Sequence, residues 1–581
     1  MSVKPEILAR RAVHHYRRYD SLAYVSLRLY LRNLCALRDR WSQEIASELV
    51  IDQNQPIYNH ILEFKQVNQI GCYDFRDIHI TGPNGILAET ALLAVCSDEP
   101  KVFQSPCSVY SYKLSSGEES QGVYRHYFYG FRNRHRGIVT ACRQHADAVV
   151  IYTDIKKFYP SVRIDLAKNV WSTACKDSNL SERYRMLGIK ILENYGHVQS
   201  TMGNNPALLT GPLFSHLIGN LVLRDIDLNM EKAAPGRYFR YVDDFVFVAP
   251  KKEACELEKK LKCMLSDLGL ELHQNKRIEI DAERWLKAEH NIDDDNSPVS
   301  WKTFIGQLKQ FLLFRPNGRE EMESKFRNEG IRIRPIDYSD VRQDRDFLSR
   351  IKSLIKYPWF RQQMLRSSPD RIIEEGLQLR YRYMGELDEI LTRIKGSDHS
   401  FERKMCIPRL RFLLSRLGYL ATTDELLNIV KRISDVKEVT VFTAMFKAMA
   451  TRDVSELLKF GPKAAQAVAQ PLKMDPNPVR CSVPNLTKEA SEAYAQAYAI
   501  LQLNRVPLEV SGRLTESPMI MFCREGNERT KLFESSDTYF RELACLHGVN
   551  EPDVIRRSLE TAFDRDEDMV FDMMSFVYGL Y

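Results

Sequence analysis

The run Arg240-Tyr241-Val242-Asp243-Asp244-Phe245-Val246-Phe247-Val248-Ala249 places two adjacent aspartates between two apolar, β-prone stretches. This pattern constrains the chain more than any other feature. Burying carboxylates among such residues costs free energy unless something pairs with them. A divalent cation is the natural partner, because Mg2+ takes one or two carboxylates together with the phosphate oxygens of a substrate. The pattern reads as a β-hairpin over 237–249 with acid at its tip.

Three further segments share this texture. Ala148-Val149-Val150-Ile151-Tyr152 is an apolar strand candidate that runs into Thr153-Asp154 and halts near Pro160. Thr210-Gly211-Pro212 is a glycine turn opening a helix that carries Ser215, His216 and Asn220. After the hairpin, Lys251 to Leu268 reads as an amphipathic helix with Ala254, Leu257, Leu261, Leu265 and Leu268 on one face. Gly269 is its expected stop. A short strand near 270–280 follows, in the segment that bears Lys276. Two-metal phosphoryl transfer uses carboxylates from separate strands to bridge the ions. Asp154 and Asp243 suit that task, Asp244 would assist or orient, and Lys276 would neutralise or protonate the leaving group.

Composition sets the frame. At 581 residues, two to four domains are expected. The net charge of +6 is modest for this length, so the distribution of charge matters more than its sum. Arg125, Arg132, Arg134, Arg136 and Arg143 cluster without an intervening acid, interleaved with Tyr124, Tyr127, Phe128, Tyr129 and Phe131. That mixture suits phosphate contacts with base stacking, and equally a solvated basic face with a few core aromatics. Twelve cysteines without a CxxC pair argue against zinc and against a disulfide framework, and favour a reducing compartment, the cytoplasm. No signal peptide and no membrane span are expected.

Residues 1–70 read as helical, and 71–150 as mixed and strand-rich, with turn signals at Gly82-Pro83-Asn84-Gly85 and Ser115-Ser116-Gly117. Beyond about 340 nearly everything reads as helix: 377–394, 401–417, 423–433, 439–449, 454–460 and 464–472. A proline-containing loop over 474–484 precedes another helix near Thr487. These are the segment lengths of an α-solenoid, though no clean repeat period is present.

In order, the four segments resemble motifs A, B, C and D of reverse transcriptases, with Tyr241-Val242-Asp243-Asp244 matching the family's Y-x-D-D box. Phe304-Ile305-Gly306 resembles the primer-gripping motif E, and Tyr73-Asp74-Phe75-Arg76-Asp77-Ile78 and Tyr129-Gly130-Phe131-Arg132 resemble finger motifs. The resemblance covers about 70–315. It implies an α+β right-hand polymerase with an antiparallel palm sheet, followed by an all-α helical-repeat domain. The divisions expected are an N-terminal helical extension over 1–70, fingers and palm over 71–315, a thumb-like or connecting region over 316–375 and the helical repeats over 376–581.

The resemblance also assigns roles. Asp154, Asp243 and Asp244, with Ile155, would hold two Mg2+ ions, for which Mn2+ can substitute. Tyr159, five residues after Asp154, would sit under the sugar and favour deoxynucleotides. Gly211, Ser215 and Asn220 match motif B positions, although Leu209-Thr210-Gly211 departs from the common Pro-Gln-Gly. Lys113, Arg125 and Arg132 are the candidate triphosphate contacts.

The long helical half resembles that of abortive-infection and related phage-defence reverse transcriptases of bacteria. This implies RNA-directed or template-independent DNA synthesis, a homo-oligomer, an RNA template or noncoding RNA as partner, and protein priming as an option, with Tyr581 as one candidate hydroxyl. The alternatives are a catalytically vestigial RNA-binding scaffold and a group II intron-type maturase. Arg541 to His547 resembles the motif of HEPN ribonucleases, but Arg541 and His547 would not share a helix face.

Overall fold

The structure is a computed structural model. It describes residues 58–67, 73–116, 122–125, 127–273, 276–287, 300–335, 368–396, 400–484, 486, 488–504 and 506–512, together with Leu8, Arg11, Ala12 and His15. Most of the expected N-terminal helical extension, the connecting region over 336–367, the Arg541–His547 motif and Tyr581 lie outside the described residues. The described part is mixed α/β and rich in helix, and it falls into two compact units. None of its helices is long and apolar enough to cross a membrane.

The first unit holds Tyr58–His60 and the residues from Asp77 to Lys287. Strands β1 (Tyr58–Val67) and β2 (Tyr73–Thr81) form a two-stranded sheet, and their central residues, Ile61–Arg76, belong to the second unit. Residues 58–67 are therefore strand where helix was expected. Helices α1 (Pro83–Ser97), α2 (Pro100–Phe103) and α3 (Tyr127–Gln144) follow, so 71–150 is richer in helix than in strand. The Gly82-Pro83 signal, read as a turn, opens α1 instead. Proline at the first helical position sets φ for the helix, and its missing N–H is one that the helix would leave unpaired anyway.

Next come β3 (Val149–Asp154), the single turn α4 (Phe158–Ser161), α5 (Ile164–Lys176), α6 (Glu182–Thr201), α7 (Leu213–Val222) and α8 (Arg224–Ala233). The hairpin is β4 (Tyr238–Tyr241) and β5 (Asp244–Ala249). Helix α9 (Lys251–Asp267) buries Ala254, Leu257, Leu261 and Leu265, and Gly269 at φ +73° ends it, as the spacing predicts. Strand β6 (Ile278–Asp281) and α10 (Ala282–Lys287) complete the unit.

Four strands pair antiparallel in the order β4-β5-β3-β6. Every residue of β4 and β5 is buried, because helices pack on both faces. Side chains alternate between faces along a strand. With Asp154 opposite Asp244 and Tyr241 opposite Asp244, one face carries Tyr152, Asp154, Asp244, Tyr241 and Phe239. Helix α3 covers that face, and Gly137 in it makes room for the Phe239 ring. The other face carries Arg240 and Tyr238, which meet α8.

The second unit contains α11 (Trp301–Phe314), α12 (Arg319–Asn328), α13 (Pro369–Gly396), α14 (Ser400–Leu420), α15 (Thr423–Ile433), α16 (Thr440–Thr451), α17 (Pro462–Lys473) and α18 (Lys488–Leu503). The periodicity located most of these within a few residues. Helix α15 begins where expected because Thr422 and Glu425 form a reciprocal capping box. The unit is not all-α. Strands β7 (Val479–Ser482) and β8 (Leu508–Ser511) pair in parallel, and the expected loop over 474–484 contains the first of them. A parallel pair needs a crossover, and α18 supplies it. The tip of β1–β2 joins this unit through Phe64 and Tyr73, whose rings lie 4.8 and 5.1 Å from that of Phe460. Phe304 and Ile305, of the segment resembling motif E, sit on α11 and are buried, Phe304 beside Phe326.

Candidate metal centre

Asp154 ends β3, Asp244 begins β5, and Asp243 lies in the two-residue loop between β4 and β5. Antiparallel register sets Asp154 directly across from Asp244, and the Ile155 amide donates to the Asp243 carbonyl at 3.1 Å. One carboxylate oxygen from each aspartate lies within 4.8 Å of the others. Asp154 and Asp244 are buried and Asp243 is half-buried. Burial raises the pKa of Asp243 well above the usual carboxylate range, and the neighbouring charges of Asp244 and Asp154 push it the same way. Burial raises Asp244 as well, against the opposing charge of Arg134. Three acids held together at such cost fit a cation: a bound divalent ion would replace mutual repulsion with attraction.

The loop that carries the acids is strained and braced. Val242 has φ +57°, where a two-residue hairpin of this kind favours glycine. For a β-branched residue that region is a genuine outlier. Two buried side chains hold it: the Val242 amide donates to Ser111 Oγ at 2.7 Å, and Arg240 Nη1 donates to the Val242 carbonyl at 2.7 Å. Arg240 is fully buried and grips Asp227 through Nε and Nη2, each at 2.7 Å. Its Nη2 also reaches Asn220 Oδ1 at 3.2 Å, and the Tyr238 hydroxyl donates to Asp227 at 2.7 Å.

Lys276 approaches from the segment before β6, and its ammonium pairs with Asp154 Oδ2. The same segment bonds to the strand end, with the His273 amide donating to the Asp154 carbonyl at 2.7 Å. Lys276 is half-exposed, whereas the Asp154 side chain is almost wholly buried. Arg134 approaches from α3, with Nη1 3.9 Å from Asp244 Oδ2.

The structure thus brings Asp154, Asp243, Asp244 and Lys276 together, with Ile155 bonded beside them. Tyr159 is half-buried on α4, and its hydroxyl lies 2.6 Å from His216 Nδ1. Gly211 has φ +119°, and a Cβ there would meet the His79 carbonyl oxygen at 2.4 Å, so tight backbone approach accounts for this glycine. Ser215 is fully buried against the Tyr195 hydroxyl. Asn220 joins the Arg240 network and donates weakly to the Ser111 and Tyr112 carbonyls at 3.4 Å. Lys113 is half-buried, its ammonium 5.8 Å from the Tyr110 ring centre, and burial lowers its pKa. Arg125 is exposed, while Arg132 is half-buried on α3.

Sequence reasoning missed the supporting residues. Glu89 is buried, and its carboxylate accepts from the Phe214 amide at the start of α7 and from the Tyr195 hydroxyl, both at 3.0 Å. Burial raises its pKa to about 7. Arg240 and Asp227 offered no signal, being charged residues thirteen apart with nothing to pair them. Arg134 did offer one. It shares an inward face of α3 with Ile138 and Cys142, four and eight residues on, while Arg136 and Arg143 are exposed.

No protein family matches the chain, and no curated protein matches it. Among solved structures, the apo telomerase from Candida tropicalis is similar over 88% of this chain and 74% of that one, at 10% identity and a TM-score of 0.29. The telomerase from Candida albicans in complex with a TWJ fragment of telomeric RNA covers 71% of this chain and 68% of its own, at 11% identity and a TM-score of 0.28. Similarity at this level carries no argument about fold or function.

Proposed function

We propose that this protein is a nucleotidyltransferase of the reverse-transcriptase type, building DNA from deoxynucleotides at the Asp154–Asp243–Asp244 centre. The observation that carries the reading is the meeting of three carboxylates, from the ends of two paired strands, within 4.8 Å of one another. Asp154 and Asp243 would hold the divalent ions, Mg2+ or Mn2+, and Asp244 would complete the cluster. Ions bound there would sharpen the attacking hydroxyl and neutralise charge on the transferring phosphorus.

The chain's own groups do the rest. Lys276, half-exposed beside Asp154, can leave that carboxylate and meet negative charge on the pyrophosphate side. The brace from Ser111 and Arg240 holds the acidic loop in one conformation, so the carboxylates need not reorganise when substrate arrives. Tyr159, with its hydroxyl tied to His216, presents a ring that would crowd a 2′-hydroxyl. The exposed arginines Arg125, Arg136 and Arg143 suit nucleic-acid phosphates. A role in phage defence, an oligomeric state, an RNA partner and priming from a protein hydroxyl all rest on the resemblance of the helical half and belong to this proposal.

The test is direct. Purified protein is incubated with labelled deoxynucleotides and Mg2+, with and without primer and template, and the product is treated with protease and with RNase. Synthesis that disappears in Asp243→Ala and Asp154→Ala, with both variants folded, is the expected result. No synthesis under any condition would sink the reading. Protease-sensitive mobility would mark a covalent protein primer, and RNase-sensitive synthesis an RNA template.

A further inference from the structure

Arg134 stands apart from the other arginines of its tract. It is 4% exposed, and its guanidinium lies over two rings of the sheet face that bears the acids, 5.7 Å from the centre of Tyr152 and 5.9 Å from that of Tyr241. Its Nη1 is 3.9 Å from Asp244 Oδ2, and its Nε and Nη2 have no hydrogen-bond partner among the described residues. A guanidinium keeps its charge in proteins, so burying it is costly unless an anion answers it. Among the described residues Asp244 is the carboxylate within ion-pair distance, and the Tyr152 ring under the guanidinium stands on the same sheet face as that carboxylate.

We propose that Arg134 is a positioning residue of the metal centre: it is the fixed counter-cation that sets the orientation of Asp244 and thereby the divalent-ion affinity of the three-aspartate cluster. The inference rests on the metal-binding reading above. Among the described residues two cations attend the cluster, and they differ in kind. Lys276 is half-exposed on a flexible stem and can move aside. Arg134 projects from α3, is 4% exposed, and lies over the rings of Tyr152 and Tyr241. Held by the buried Arg134, Asp244 keeps one orientation, and Asp154 and Asp243 are left as the carboxylates without a fixed cation. Outer partners of this type tune metal sites by orienting the ligands.

The experiment measures Mn2+ binding to the full chain by electron paramagnetic resonance, at fixed pH and without substrate. Arg134→Met should weaken binding by about tenfold, the lower end of the usual cost of losing an orienting partner. Arg134→Lys, which keeps the charge, should recover most of it. In an Asp244→Asn background, Arg134→Met should have no further effect, because the partner through which it acts is gone. Unchanged or tighter binding in folded Arg134→Met would overturn the proposal, as would equal effects with and without Asp244. If Arg134→Met fails to fold, Arg134→Lys compared in the two backgrounds decides: its deficit must vanish in Asp244→Asn. If wild-type protein binds Mn2+ no better than Asp154→Asn and Asp243→Asn, the metal-centre reading itself fails, which is a different outcome.

Discussion

The Tyr159 hydroxyl and His216 Nδ1 lie 2.6 Å apart, with the imidazole stacked on Tyr112 at 3.7 Å and 6° between planes. Burial drives the His216 pKa well below its usual value, so the ring is neutral. A neutral imidazole carries one N–H, so the contact is a single hydrogen bond between the phenol oxygen and Nδ1 whose direction the tautomer sets. The contact fixes the Tyr159 ring at the end of the segment that starts with Asp154.

If that ring screens the sugar, its bulk matters more than its hydroxyl. Tyr159→Ala should lower the preference for deoxynucleotides over ribonucleotides by about tenfold or more, the scale on which pocket size discriminates. Tyr159→Phe should stay near wild type. Competitive incorporation of the two nucleotide classes gives the ratio, and an unchanged ratio in Tyr159→Ala removes the screening role.

Divalent ions and protons should compete for the acidic cluster. The pKa values of Asp243 and Asp244 are raised, so both carry protons at mildly acidic pH more readily than ordinary aspartates. Mg2+ or Mn2+ should therefore raise Tm at pH 8 and raise it much less at pH 5. Asp243→Asn should abolish the metal-dependent part. Thermal melts with and without metal at the two pH values check this.

Glu89 should leave a signature in pH-dependent stability. Burial raises its folded pKa to about 7 from the ordinary 4.5. The folded state then binds the proton more tightly than the unfolded state does. Its contribution is fully present below about pH 4.5 and is lost as pH rises toward 7. The loss should be roughly 3 kcal/mol over that window. Glu89→Gln should remove this slope, measured as the difference between the two proteins' denaturation curves across the window.

Breaking the Arg240–Asp227 pair from one side should be severe. Both side chains are fully buried, and Arg240→Met would leave Asp227 without its cation and the Val242 carbonyl without its donor. The expected cost is about 3–5 kcal/mol. Chemical denaturation gives the number. Because the loop brace is lost as well, metal affinity should fall in whatever protein remains folded.

Gly211→Ala should destabilise for two reasons that act together. The backbone is at φ +119°, and the new methyl would stand 2.4 Å from the His79 oxygen, itself held by the hydrogen bond from the His79 amide to the Thr210 carbonyl. The cost should exceed about 2 kcal/mol, as for strain and overpacking combined. A Tm within a degree of wild type would contradict it.

The amino-acid sequence alone determined the parts of this protein whose information is local. Apolar, β-prone runs located β3, β4 and β5, because a strand covered by helices on both faces is largely apolar. Helical periodicity and a glycine stop located α9, and helical patterning located α15. Two aspartates in an apolar hairpin, with a third at the end of an apolar strand, were legible as a candidate metal centre because such acids have few other reasons to be buried. Local signals misled where two structures share one signature: Gly82-Pro83 suits a turn or a helix start, and 58–67 suits helix or strand until a partner is present.

Tertiary structure decided the rest. Antiparallel register, not sequence spacing, put Asp154 opposite Asp244. Whether an arginine in a basic tract meets solvent or a carboxylate depended on which face of α3 lay against the sheet, and that separated Arg134 from Arg136. The pairing of Arg240 with Asp227, the bond between Tyr159 and His216, and the reach of Glu89 to the start of α7 join residues of different elements that no local pattern pairs. Their value comes from burial, which strengthens charge and hydrogen bonding by removing water, and burial is a property of the packed molecule.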